Sequence, residues 1–323
     1  MRRNKLQTSL LVVVLLLLGL VINQRQAIHD WIKLRGYQPS TAIATLASED
    51  TMTPAAKHLF YINKPGITNS VAFAENCPKA TEKTIILGCY RSGENGIFIY
   101  NVADPRLDGV QQVTAAHEML HAAYERLSSK DRNYVDGLLK QFYKNDLRDQ
   151  RLLDTIASYR QTEPNDVLDE MHSVFGTEVS NLPPQLEVYY QRYFGNRSKV
   201  AGFAAAYQAE FTSRQKQVEQ YDVQLKSLRQ QVDDSRSSLT SQKAALDDKA
   251  SQMGADRASG DTDAYNSLVG SYNQAVDRYN TLVGQTKDQI SQYNQLVEKR
   301  NAVALEEQQL MQAITASPET VKG

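Results

Sequence analysis

The sequence predicts a mostly helical α+β protein, in which a small antiparallel sheet and a buried helix share one domain and an antiparallel coiled-coil hairpin follows. Three patterns predict this class: two short β-branched runs near residue 90, an apolar helix around residue 117, and apolar positions after residue 218 that alternate in spacing between three and four. With 41% hydrophobic residues the 323-residue chain can form a core of moderate size. The mean hydropathy of −0.49 requires a very polar region, which is the carboxy-terminal third.

The amino terminus has three basic residues within its first five positions, followed by an apolar stretch over residues 8–22. At about 1.5 Å per residue this stretch is roughly 22 Å long, which is short for a membrane span of about 30 Å. No small-x-small cleavage site follows Ile22, which favours an uncleaved signal anchor over residues 1–24. The basic residues predict a cytoplasmic amino terminus and a single pass through the plasma membrane, with secretion after signal cleavage as the alternative.

Composition along the chain predicts four further segments. Residues 25–53 are interpreted as a juxtamembrane linker, 54–200 as the folded domain, 201–316 as the coiled-coil hairpin and 317–323 as a tail. The net charge is −1, and no cluster of lysine and arginine is interleaved with aromatic residues. The sequence therefore predicts no nucleic-acid partner.

Two runs before the apolar helix predict a β-hairpin. Residues 84–90 and 97–102 are rich in β-branched and aromatic side chains, and Asn95-Gly96 lies in the turn between them. The chain has only two cysteines, Cys77 and Cys89. An exported pair predicts one disulfide, which would brace this hairpin.

The segment His117-Glu118-Met119-Leu120-His121 carries the strongest chemical signal. Residues 113–123 are otherwise small or apolar apart from Thr114 and contain no proline or glycine, which predicts a buried helix. Positions four apart lie on one helix face, so His117 and His121 can present their imidazoles to one metal ion. A surface helix with two incidental histidines is the alternative, and the alanine and leucine neighbours disfavour it.

In this uncharged setting the motif resembles that of the zincin metallopeptidases. The resemblance implies that His117 and His121 bind Zn²⁺, that Glu118 is the general base for the attacking water, and that the substrate is a peptide or protein. It also implies that the strand before the helix lies at a sheet edge and binds the substrate backbone. The residues of that strand are Ile97, Phe98, Ile99 and Tyr100. A core hairpin with no substrate role is the alternative.

A catalytic zinc needs a third protein ligand. The metzincin branch is excluded because residues 122–127 supply neither the glycine nor the third histidine. The gluzincin branch takes a glutamate from a later helix, and Glu170 in the predicted helix 166–176 beside the apolar face of Val167, Met171 and Val174 is our choice. The family often has an acidic residue four positions later, where this chain has Val174.

Several other residues near Glu170 stay open as candidates. The alternatives for the third ligand are His172, Asp169, Asp166 and Glu178. His172, Ser173 and Tyr190 are predicted either to support a metal ligand by a hydrogen bond or to contact the transition state.

The last third predicts two helices that return along each other. Apolar residues from Val218 to Met253 form a seam with three polar members, Ser235, Gln242 and Lys249, and a Tyr-Asn repeat follows at residues 265, 272, 279 and 293. Arms of this length would make a hairpin on the order of 50 Å long. The polar seam positions leave room for a homodimer or another coiled-coil partner.

Together these patterns predict a membrane-anchored, extracytoplasmic zinc metallopeptidase. One alternative is a non-enzymatic coiled-coil envelope scaffold with a structural or vestigial zinc site. The other is a zinc amidase that acts on cell-wall peptide.

Overall fold

The computed structural model describes residues 25–77, 87–93 and 96–315, which divide into two units at Glu210/Phe211 and Leu310/Met311. The elements before the long helices are α1 (Arg25–Leu34), α2 (Thr41–Glu49), α3 (Pro54–Ile62), β1 (Gly66–Thr68), α4 (Ser70–Asn76), β2 (Gly88–Arg91), β3 (Gly96–Tyr100), a 3₁₀ helix (Pro105–Leu107), α5 (Val110–Glu125), α6 (Ser129–Asn145), α7 (Gln150–Thr162), α8 (Val167–Glu178) and α9 (Pro184–Tyr190). Two long helices follow, α10 (Arg197–Ser259) and α11 (Thr262–Ala313).

Local sequence explains where many of these helices begin. A polar side chain at the N-cap accepts a hydrogen bond from a backbone N–H inside the first turn of α2, α3, α4, α6 and α7. The capping residues are Ser40, Thr53, Asn69, Ser128 and Asp149. In α3 the cap is followed by Pro54, whose fixed φ suits the first helical position.

Helix α5 lies in the centre of the first unit, in contact with α2, α3, α8 and the sheet. Its closest neighbour is α8, and Gly176 permits that approach. A Cβ at this glycine would lie 2.5 Å from Cδ1 of Leu120 on α5 and 2.7 Å from a ring carbon of Tyr190 on α9. Because carbon atoms pack at about 3.5 to 4.0 Å, any side chain there would force the two helices apart. The two helices that carry the candidate site are thus held together by close packing.

The sheet differs from the prediction. Its strand order is β1-β3-β2, with β2 antiparallel and β1 parallel to β3. The prediction of a purely antiparallel sheet is therefore wrong, because this sheet is mixed. The parallel strand Gly66–Thr68 is only three residues long, which is too short for an alternating pattern to mark it in the sequence.

The predicted fold class also needs correction in the second unit. Helices α10 and α11 are joined at Gly260, whose φ of +77° suits glycine. In residues 211–310 only Thr286 and Leu310 are buried. The bonds that connect the two helices are polar, as between Ser235 and Gln289 and between Arg300 and Asp222. The described residues show a pair of long, largely solvated helices, and they show neither a zincin fold nor a packed coiled-coil hairpin.

Residues 25–53 are folded, although composition predicted a linker there. Ile43, Leu46 and Met52 lie in the core. Asp30 on α1 accepts hydrogen bonds from both terminal nitrogens of Arg126, at 2.6 and 2.7 Å, which ties this segment to the end of α5. The unit boundary falls at residue 210, ten residues beyond the predicted end of the domain.

Among the described residues, none of the helices combines the length and the apolar character that a membrane span requires. The apolar stretch 8–22 and the tail 317–323 lie outside the described residues. The predicted single-pass anchor at residues 1–24 also lies outside the described residues.

Candidate metal centre

Helix α5 presents His117 and His121 on one face, as their spacing requires. Their Nε2 atoms face each other at 3.0 Å. The side chains are 17% and 12% exposed, so the pair lies at the rim of the core rather than on an open surface. The two imidazoles therefore converge on one point that solvent can still reach.

Glu170 on α8 completes the group. Its Oε2 lies 3.7 Å from Nε2 of His117 and its Oε1 lies 3.7 Å from Nε2 of His121. All three ligand atoms lie within 4.8 Å of one another. The structure thus brings together the three residues that the sequence predicted as metal ligands.

The group fits a zinc ion by its chemistry and spacing. Zinc bonds to imidazole nitrogen and carboxylate oxygen of about 2.0 to 2.2 Å, at tetrahedral angles, would place the ligand atoms about 3.4 Å apart, which lies between the separations seen here. The buried Oε2 of Glu170 has no hydrogen-bond partner. A buried carboxylate oxygen without a partner is costly, and a bound cation would satisfy it.

Asp169, one of the alternatives for the third ligand, instead contacts the ring of His121 on the side away from the ligand group. Nδ1 of His121 donates a hydrogen bond to its Oδ1, at 2.9 Å. This contact holds a proton on Nδ1, so Nε2 is the ring nitrogen that faces His117 and Glu170 and that a metal ion would bind. Asp169 therefore orients a ligand, and its position directly before Glu170 is the sequence signal that could have revealed it.

Glu118 points from α5 toward strand β2 and is buried. Burial raises the pKa of its carboxyl, while the imidazoles of His121 and His117 act in the opposite direction. A carboxyl with a raised pKa is better suited to accept a proton and release it again. Glu118 thus has the environment of a general acid–base group.

The remaining charges of the site are strongly coupled. Burial lowers the pKa of His121, but the carboxylates of Glu170 and Asp169 outweigh this and raise it to about 10. Burial raises the pKa of Glu170, but His121, His117 and a hydrogen bond with Tyr159 on α7 together hold it below its ordinary value. The carboxylates of Glu170 and Asp169 thus favour a positive charge at this site, which either a proton or a metal ion can supply.

The other residues proposed as ligands lie outside the metal group. His172 turns into a tyrosine cluster, where its Nε2 lies 2.9 Å from the hydroxyl of Tyr189, and burial lowers its pKa to about 3. Glu178 binds Arg151 and Gln208. Asp166 is exposed and precedes α8. Only Glu170 among these candidates joins the two histidines.

The residues predicted to support a ligand or to contact the transition state lie in the core of the first unit. His172, Ser173 and Tyr190 are all fully buried. The hydroxyl of Tyr190 donates to the backbone carbonyl of His172 at 2.7 Å, so its proton is engaged inside the core. The role of these three residues stays a prediction.

The strand predicted to bind substrate does not lie at an edge of the sheet. Ile97, Phe98, Ile99 and Tyr100 form β3, which is the middle strand and pairs with β1 on one side and β2 on the other. Because both edges of its backbone are engaged, β3 cannot accept an extended peptide. In the described part of the chain, the edge next to Glu118 belongs to β2.

The predicted cysteine pair is a disulfide in the structure. Cys77, which ends α4, is bonded to Cys89 in the middle of β2. With Phe73, Phe98 and Tyr100 the bridge forms a small apolar cluster on this side of the sheet. Strand β2 is therefore attached to α4 as well as to β3.

No protein-family model, no curated protein and no solved structure matches this chain.

Proposed function

We propose that this protein is a zinc-dependent metallopeptidase whose ligands are His117, His121 and Glu170. The observation that carries the proposal is the convergence of these three groups beside a buried glutamate. Three protein ligands leave a coordination position open, which is typical of catalytic sites, whereas structural zinc sites use four protein ligands. A set of three protein ligands therefore favours a hydrolase over a scaffold that holds structural zinc.

Each side chain has a distinct task in this proposal. When bound, zinc supplies a Lewis acid that polarises the scissile carbonyl and lowers the pKa of water. Glu118 accepts the proton of the attacking water and returns it to the leaving amine. Asp169 keeps the ring of His121 in the orientation and tautomer that its role requires.

Strand β2 is the substrate-binding element that the geometry favours. It lies at the edge of the sheet within the described residues, and Gly88 at its start contacts Glu118. An extended peptide that adds to this edge by main-chain hydrogen bonds would pass the Glu118 carboxylate. This replaces β3 as the expected substrate strand.

The test is a comparison of the wild type with Glu118→Gln on a peptide library, with zinc content measured for both proteins. We expect equal zinc content and a cleavage rate about 10² to 10⁴ times lower in the variant, as removal of a general base predicts. Glu75→Gln, which changes an exposed glutamate of the same unit, is the matched control and should cleave like the wild type.

Equal cleavage by Glu118→Gln and the wild type would contradict the proposal. Zinc-dependent release of ammonia or amine from cell-wall peptides, with no cleavage of the library, would assign the site to an amidase instead.

A further inference from the structure

Gly88 lies where strand β2 comes closest to the helix that carries Glu118. A Cβ at this residue would lie 2.6 Å from Oε1 and 2.8 Å from Cγ of Glu118, and 2.5 Å from Cγ2 of Thr114. Heavy atoms in van der Waals contact are about 3.5 to 4.0 Å apart. Any residue other than glycine would therefore push against Glu118, Thr114 or the strand itself.

The strand has little freedom to retreat. Gly88 pairs with Ile99 and Cys89 pairs with Phe98 in the antiparallel ladder. The disulfide fixes Cys89 to Cys77 at the end of α4. Because β3 is in turn paired with β1 on its other side, a shift of β2 would disturb the whole sheet.

Thr114 is also fixed. It lies one helical turn before Glu118, and its hydroxyl donates to the carbonyl of Val110 at 2.8 Å, which sets its rotamer and leaves Cγ2 directed toward Gly88. A Cβ at position 88 would therefore press on both side chains. The Glu118 side chain has more rotatable bonds than Thr114, so its carboxylate would be displaced further than the Thr114 methyl group.

We propose that Gly88 is a positioning residue for Glu118, because its bare backbone forms the wall against which the carboxylate rests beside the metal ligands. The catalytic meaning of this inference rests on the proposed function. The packing relation between residues 88 and 118 does not depend on it.

The first experiment compares Gly88→Ala with the wild type. We expect kcat to fall about 10- to 100-fold, since a displacement on the order of 1 Å in a reacting group has an effect of that size. KM and the dissociation constant for zinc should stay within about twofold. Gly66→Ala in β1 is the control, because nothing lies within 4 Å of a Cβ there.

The second experiment separates the two side chains that a Cβ at position 88 would meet. Thr114→Ser removes Cγ2, so the double variant Gly88→Ala/Thr114→Ser should keep the lowered kcat of Gly88→Ala, because the contact with Glu118 remains. Recovery of the wild-type kcat in the double variant, an unchanged kcat in Gly88→Ala, or a zinc affinity that falls in parallel with kcat would overturn the proposal.

A third measurement uses stability and does not require catalytic activity. Gly88→Ala should lower the denaturant midpoint of the first unit, and Glu118→Ala, which removes Cγ and Oε1, should make that decrease clearly smaller. If the wild type shows no Glu118-dependent cleavage, the proposed function fails while this comparison still supports or refutes the role of Gly88. Midpoint shifts that add without coupling would refute it, and so would a Gly88→Ala chain that fails to fold and is not rescued by Glu118→Ala.

Discussion

The two units of this protein differ in how many side chains they bury and in which kinds. The first unit buries a continuous apolar core and, within it, charged or polar groups such as Glu118, Glu170 and His172. In residues 211–310 only Thr286 and Leu310 are buried. Desolvation is what shifts these pKa values, so the shifts that burial causes are found in the first unit.

The same contrast appears in the electrostatics. In the first unit the Asp30–Arg126 pair is largely desolvated, and the hydrogen bond from Arg126 lowers the pKa of Asp30. In the second unit the pair between Lys243 and Asp247 is mostly exposed. Exposed pairs of this kind contribute little to stability. The long helices therefore have a polar, largely solvated surface, whereas the first unit has an interior that contains buried ionisable groups.

The sharpest test of this contrast is the response of each unit to zinc. Zinc at about 1,000 times its dissociation constant should raise the free energy of unfolding of the first unit by about 4 kcal/mol and should leave the second unit unchanged. The single tryptophan, Trp31, lies in the first unit, so its fluorescence reports on that transition. Far-UV circular dichroism follows the helices of both units, so a transition that appears in circular dichroism and not in fluorescence belongs to the second unit.

His117→Ala should abolish this stabilisation, because it removes one of the three ligands. His29→Ala, which changes an exposed histidine of α1, is the control and should respond to zinc like the wild type. An equal response of His117→Ala would mean that zinc binds elsewhere in the chain.

A pair of leucine substitutions compares the interiors directly. Leu139 on α6 is fully buried, whereas Leu239 on α10 is half-buried. Leu139→Ala should lower the free energy of unfolding by about 2 to 5 kcal/mol, and Leu239→Ala by about 1 kcal/mol. Denaturant unfolding followed by both signals measures the two effects. A loss of several kcal/mol in Leu239→Ala would show that α10 and α11 share a packed core after all.

A smaller effect is expected at Asp50, directly after α2. This carboxyl is fully buried and neither of its oxygens has a hydrogen-bond partner in the described structure. Burial, and then the nearby Glu49, raise its pKa well above the ordinary value, against the opposing charge of Lys199. The folded state therefore binds a proton more tightly than the unfolded state, so stability should fall as pH rises above about 4.

Asp50→Asn should remove this pH dependence and raise the free energy of unfolding at pH 8 by about 1 to 3 kcal/mol, with little change at pH 4. Asp146→Asn at an exposed position is the control. Denaturant midpoints measured across this pH range that stay parallel for Asp50→Asn and the wild type would contradict the expectation.

The features that could be predicted from the sequence are those that depend on local geometry. Residues four apart on a helix share a face, so the spacing alone placed His117 beside His121. The pairing of Cys77 with Cys89 followed from there being only two cysteines. Both could be read without knowledge of how the elements pack.

The features that needed the tertiary structure depend on contacts between distant segments. A family resemblance predicts Glu170 as a ligand, but its approach to the histidines follows from the packing of α8 on α5. The bond from His121 to Asp169 and the contact of Gly88 with Glu118 likewise follow from the packing of α8 and β2 on α5. The middle position of β3 likewise follows from a three-residue parallel strand that leaves no periodic pattern.

By itself, the sequence determined which helix carries the reactive side chains and which face they share, because helix geometry couples residues one turn apart. Only the tertiary structure decided which carboxylate joins them, which one orients His121 and which strand borders Glu118. Those relations depend on how closely helices and strands approach one another, and that distance is determined by small residues such as Gly176 and Gly88 whose importance appears only once their neighbours are in place.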